Sequence, residues 1–129
     1  AHEEEQIMVV DTEASLEHMK RGTSQYVDKM YSVVEPYYRS LEAAGRFADM
    51  ANQLGIVNVE AIANKVRNAE EEQAIREFCK KINLPIAVIL PFDEQVTDAD
   101  LKGVSIMDYD KDAKVVKAME VFVQTLELN

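Results

Sequence analysis

The chain has 129 residues, 24 of them acidic and 14 basic, for a formal charge of −10 and a hydrophobic fraction of 47%. That length is one domain's worth, and the composition supplies an ordinary globular core. The charge argues against a nucleic-acid footprint, which needs a basic patch, and against electrostatic binding to an anionic membrane.

A single cysteine, Cys79, allows no intramolecular disulfide and suits a reducing cytoplasm. No run is long enough to cross a membrane. The acidic start, Ala1-His2-Glu3-Glu4-Glu5, lacks the basic and apolar regions of a signal peptide, and the absence of an initial Met suggests a processed or truncated beginning.

In chain order, the apolar run Ile7-Met8-Val9-Val10 predicts a strand over 6–12 that ends on the carboxylate of Asp11. A short helix is expected over 14–20, then a polar loop at Arg21-Gly22-Thr23-Ser24. A second strand is expected over 29–34, stopped by Glu35-Pro36 because proline has no N–H for a ladder. Leu41, Ala44, Phe47, Ala48, Ala51 and Leu54 recur at helical spacing and predict a helix over 38–54, with Gly55 placed as its C-terminal glycine.

A third strand is expected over 59–64, followed by the loop Lys65-Val66-Arg67. The next helix, over 70–82, has the stripe Ala74, Ile75, Phe78 and Ile82 and three glutamates in a first turn where negative charge suits the dipole. Ile86 to Leu90 is apolar at every position, the pattern of a strand buried on both faces. It ends at Pro91-Phe92-Asp93. A helical turn over 97–101, capped by Thr97, and a final helix over 112–126 complete the chain.

This alternation predicts an α/β fold, a mostly parallel sheet with flanking helices in a single domain over 1–129. Parallel strands end on one shared edge, where such folds bind ligands. That edge carries Asp11, Glu35-Pro36, Asn64-Lys65 and Pro91-Phe92-Asp93. Asp11 suits a magnesium ion held through water, which prefers carboxylates. Asn64 offers a donor and an acceptor on one flat amide, which suits a purine edge. Each of these residues also has a plainer reading, as a cap, a turn or a solvated strand end.

Other chemistry lacks its residues. One cysteine and two scattered histidines do not make a metal set, Cys79 beside Phe78 reads as core, and no nucleophile elbow is present. The glycines Gly22, Gly45, Gly55 and Gly103 are isolated, and no G-x-x-x-x-G-K-[ST] phosphate loop occurs.

The stretch Val10-Asp11-Thr12-Glu13-Ala14-Ser15-Leu16-Glu17-His18-Met19-Lys20-Arg21-Gly22-Thr23 resembles the second-switch region of CooC-type ATPases. These are nickel-insertion accessory proteins for carbon monoxide dehydrogenase, in the MinD/ParA group of P-loop ATPases. Val34-Glu35-Pro36, Asn64-Lys65-Val66, Leu90-Pro91-Phe92-Asp93, Val96, Ala99-Asp100 and Gly103 follow in the same order. The resemblance covers essentially all of this chain and only the C-terminal half of the family's domain, so the implied fold is a P-loop NTPase domain without its N-terminal strands.

The resemblance implies that Asp11 belongs to the switch sensing magnesium and the γ-phosphate. It implies that Asn64 contacts adenine and that Pro91-Phe92-Asp93 closes over the base, with Lys65 beside it. It implies ATP or ADP and magnesium in the intact parent, a homodimer, and nickel delivery to a client metalloenzyme. Ser15 stands where many relatives have glycine, which stiffens the switch. The family's phosphate loop and metal-binding Cys-x-Cys belong to the N-terminal half, so the chain alone is expected to be inactive, to bind nucleotide and nickel poorly, and, with an open sheet edge, to self-associate or be poorly stable. Two other readings remain open: a MinD/ParA-type positioning ATPase fragment, and a standalone non-catalytic interaction domain. Against the first, Lys111, Lys114 and Lys117 of the final helix are offset by Asp112, Glu120 and Glu127 and form no basic membrane stripe.

Overall fold

The computed structural model of the protein describes residues 7–9 and 27–127. Three parallel strands form one sheet in the order β1-β2-β3: β1 (Met30–Val34), β2 (Val59–Val66) and β3 (Ile86–Pro91). Helix α1 (Tyr38–Gln53) connects β1 to β2, and α2 (Ala69–Lys81) connects β2 to β3. After β3 come α3 (Glu94–Leu101), the single turn α4 (Ile106–Tyr109) and α5 (Lys114–Glu127).

The layers follow from side-chain alternation. Met30, Ser32 and Val34 point to one face of β1, and Ala61 and Ala63 of β2 join them with no exposed surface on either alanine. Alanines there let helices approach closely, and α1 answers with Ala44, Ala48 and Ala51 at helical spacing. Helix α2 adds Ile75 and Cys79 to the same core. Helix α5 packs on β3 from the opposite face, where Phe122 meets Tyr31 of β1 edge-to-face at 5.5 Å.

The helix ends show why the sequence breaks where it does. Asn68 caps α2 by accepting from the Glu71 N–H at 2.8 Å, with Glu70, Glu71 and Glu72 in the first turn. Gly55 follows α1 at φ 86°, a left-handed conformation that glycine adopts without penalty.

Several expectations fall outside the described residues, and others are corrected. Of the strand expected over 6–12, only residues 7–9 are described; they pair with no strand, and Val9 is 87% exposed. The helix over 14–20, Ser15 and the rest of the switch stretch lie outside the described residues. Strand β3 is not buried on both faces: it is an edge strand among the described residues, and of its six residues only Leu90 is fully buried. An apolar run alone does not separate an edge from a centre. Strand β2 continues through Asn64 and Lys65 to Val66 instead of stopping at 64. Helix α3 starts at Glu94, so its cap is Asp93, and Thr97 lies inside the helix. Ala74, placed in the apolar stripe of α2, is exposed.

Candidate functional site at the strand ends

The parallel pairing brings the carboxyl ends of the three strands to one edge, so Glu35, Asn64-Lys65 and Pro91-Phe92-Asp93 are neighbours, as the sequence pattern predicts. Asp11 lies outside the described residues. Among the described residues no cluster of carboxylates, histidines and cysteine could hold a metal ion.

The centre of this edge is a bulge. Ala63 pairs with Ile89 and Val66 with Pro91, so Asn64 and Lys65 together stand opposite Leu90 alone. Lys65 absorbs the extra residue at φ 59°, in the left-handed region that is unfavourable for a side chain with a Cβ. The Lys65 N–H donates to Asn64 Oδ1 at 3.0 Å, so the Asn64 amide folds back over the bulge. Its Nδ2 has no protein partner among the described residues.

Lys65 is not a free cation. Its Nζ lies 2.7 Å from Glu35 Oε1 at the end of β1, and the Tyr37 hydroxyl donates to Glu35 Oε2 at 2.8 Å. The Glu35 N–H donates to Ser40 Oγ at 2.8 Å. Hydrogen bonding from Lys65 and then Tyr37 holds the Glu35 carboxyl below its ordinary value, and the same bond raises the Lys65 ammonium. A lysine held in this way is poorly placed to bind phosphate. The signal in the sequence was Glu35 itself, a strand-end carboxylate one strand away.

Phe92 is held over the sheet edge by its N–H, which donates to the Val66 carbonyl at 3.0 Å, and the Arg67 guanidinium stacks on its ring at 4.7 Å. Arg67 follows directly on β2, and nothing in its sequence neighbourhood signals this contact. Together Arg67 and Phe92 form a flat, partly apolar surface at the carboxyl end of the strands. A groove of about 560 Å³ begins at Val66, Arg67 and Asn68 and runs along β3 past Pro91; neither Asn64 nor Phe92 lines it.

Asp93 turns inward. It is 7% exposed, and its Oδ1 accepts from the Gln95 N–H at 3.0 Å while Oδ2 accepts from the Val115 N–H at 3.1 Å. One carboxylate therefore caps α3 and also ties the start of α5, both favourable places for negative charge. Its two oxygens are committed to the fold, which leaves Pro91 and Phe92 as the part of Pro91-Phe92-Asp93 that could meet a ligand. The residue set fits a purine base: a flat stacking surface and a free amide donor. No phosphate-binding loop accompanies it in the sequence.

No protein-family model matches the chain. It is 36% identical over 117 residues to an uncharacterised ATP-binding protein of Methanocaldococcus jannaschii, covering 90% of this chain and 44% of that protein. It is 35% identical over 101 residues to the carbon monoxide dehydrogenase accessory protein CooC of Rhodospirillum rubrum, covering 78% of this chain and 38% of CooC. The chain thus spans less than half the length of these curated relatives. Among solved structures, MinD of Aquifex aeolicus superposes with a TM-score of 0.69 at 18% identity, over 87% of this chain and 50% of MinD. A ParA-family ATPase from Chlorobium tepidum gives 0.69 at 24% identity, over 89% of this chain and 47% of that one. The chain is therefore a homologue of CooC and of archaeal ATP-binding proteins, and it carries about half of the MinD/ParA ATPase fold.

Proposed function

We propose that the chain is the C-terminal portion of an ATP-binding, nickel-delivery accessory ATPase for carbon monoxide dehydrogenase maturation. In that role it supplies the adenine pocket and the second switch. The observation that carries the reading is the strand-end arrangement of Asn64 and Phe92 in a homologue of CooC and of ATP-binding proteins.

In this reading the Asn64 amide addresses the base edge and Phe92, backed by Arg67, covers a base face. Pro91 narrows the approach. Lys65 and Asp93 shape the pocket without touching nucleotide. ATP, when bound to the intact protein, supplies the phosphoryl group whose hydrolysis drives delivery, and magnesium accompanies it, with Asp11 as the acid directed to that ion. The parent works as a homodimer, in the cytoplasm, with a client metalloenzyme as partner. The 129-residue chain alone does not hydrolyse ATP and binds neither nucleotide nor nickel tightly, since its sequence contains no phosphate-binding loop.

The test uses the complete reading frame. Asn64→Ala is expected to raise KM for ATP about tenfold with kcat little changed, the cost of one or two lost hydrogen bonds to the base. A KM equal to that of the parent would remove Asn64 from the base site. Nickel- and ATP-dependent activation of apo carbon monoxide dehydrogenase tests the delivery role; ATP turnover without activation would point to another MinD/ParA-type activity. Magnesium-dependent ATP turnover by the 129-residue chain itself would refute the division of labour proposed here.

A further inference from the structure

The Asn64–Lys65 bulge has a support that lies on another strand. A lysine at φ 59° is conformationally costly and persists only where its surroundings hold it. Sheet pairing holds the backbone on either side of it, Ala63 with Ile89 and Val66 with Pro91, and its side chain adds a long-range contact, Lys65 Nζ to Glu35 Oε1 at 2.7 Å, joining the ends of β2 and β1. Glu35 is itself fixed from two sides, by the Tyr37 hydroxyl at 2.8 Å on its other oxygen and by its own N–H to Ser40 Oγ at 2.8 Å. On the far side of Lys65, its N–H fixes Asn64 Oδ1 at 3.0 Å. A chain of contacts therefore runs from Glu35 through Lys65 to the Asn64 amide, whose Nδ2 has no protein partner among the described residues.

We propose that Glu35 is a positioning residue that, acting through Lys65, holds the left-handed bulge so that Asn64 reads adenine in preference to a 6-oxopurine. This rests on the assignment of Asn64 to the base site. Fixed by Lys65, the amide presents Nδ2 as a donor and keeps one Oδ1 lone pair as an acceptor. Adenine answers with an acceptor at N7 and a donor at its 6-amino group, whereas a 6-oxopurine sets two acceptors against them. Were the bulge to relax, the amide would turn freely and offer either end to either base. Glu35 thus governs selectivity without touching the base.

The experiment uses neutral nucleosides, so that no phosphate charge meets the Glu35–Lys65 pair. Adenosine and inosine, which differ at the 6-position, are titrated against the ¹⁵N-labelled chain, following amide shifts at the strand ends; core amides report that each variant is folded. The parent chain is expected to prefer adenosine about tenfold, within the range of one good bidentate contact. Glu35→Gln should bring that ratio below about threefold, as the amide loses its fixed orientation. The decisive variant is Glu35→Gln combined with Lys65→Gly. Glycine occupies φ 59° without support, so the double variant should regain the parent preference although it lacks both charges.

A Glu35→Gln ratio equal to the parent's overturns the proposal. A double variant as unselective as Glu35→Gln also overturns it, because the effect would then lie in charge and not in bulge geometry. If the parent chain shows no preference between the nucleosides, the base-reading role of Asn64 fails first and the positioning role falls with it.

Discussion

Replacing Asp93 by alanine removes one carboxylate and leaves two helix starts without their acceptor. The Gln95 N–H at 3.0 Å and the Val115 N–H at 3.1 Å both lose their partner at a residue that is only 7% exposed, so water does not readily replace it. Loss of a single N-cap costs roughly 0.5–2 kcal/mol, and a charged acceptor at a helix start lies toward the upper part of that range. Two such losses at one buried point sum to about 2–4 kcal/mol, large against a total stability of roughly 5–15 kcal/mol. For a chain of this length about 4 °C accompanies each kcal/mol, so Tm should fall by about 8–16 °C. Asp93→Asn should be intermediate, because its amide keeps one acceptor but turns a donor toward the second N–H. Thermal and urea unfolding followed by circular dichroism measure the loss. Hydrogen exchange at Val115 should rise with the alanine variant, since its N–H bond is the one that ties the start of α5 to the α3 cap. An Asp93→Ala variant within about 0.5 kcal/mol of the parent would refute the double-cap account.

Three further outcomes are expected. Ile75→Ala, at a side chain with no exposed surface in the core between α1, α2 and the sheet, should cost about 2–5 kcal/mol by urea titration with an unchanged m-value. Burial pushes the Cys79 thiol up, so it should resist iodoacetamide in the folded chain and react once urea unfolds it; equal rates in both states would contradict its core position. The Glu35 carboxyl, held below its ordinary value of 4.5 by the Lys65 and Tyr37 hydrogen bonds, contributes stability that is complete above that value and is lost as pH falls through the lowered one. Glu35→Gln should therefore lower stability at neutral pH by no more than about 1 kcal/mol, as for a partly exposed pair, and converge on the parent in acid. A constant difference down to acid pH would show that the charge of Glu35 is not what matters.

Much of the architecture was legible because periodicity, caps and breakers agreed with one another. The alanine-rich stripe of α1 with Gly55 behind it, and the three glutamates opening α2, needed no tertiary information. What stayed hidden depends on contacts distant in sequence. Asn64-Lys65 read as the end of a strand because a left-handed residue looks like a loop; only pairing with β3 shows that β2 resumes at Val66. Asp93 read as a ligand contact because its second partner, Val115, lies 22 residues away. Lys65 reads only as part of a polar strand end, because the Glu35 that pairs with it lies on a neighbouring strand. Thr97 has the residue type of a cap but lies inside α3, whose cap is Asp93. The shared polar edge itself was legible, since parallel strands place their ends together whatever their spacing.

The pairing of β2 with β3 contains a second irregularity, at Ala87, which stands as an extra residue on β3 between the Ala61–Ile86 and Ile62–Val88 pairs. It is opposite in sense to the bulge at Asn64-Lys65. From Ala61 to Val66 and from Ile86 to Pro91 the two strands therefore advance by the same number of residues, and only the short interval between the bulges is out of step. Insertions and deletions here are consequently a paired event. Removing Ala87 alone would throw Phe92 onto the wrong side of Val66, and removing Lys65 alone would do so in the opposite direction. Removing both would restore the strand ends while abolishing the bulge that aims Asn64. Sequence length in this region is thus coupled between two strands, so a homologue that drops one extra residue is expected to drop the other.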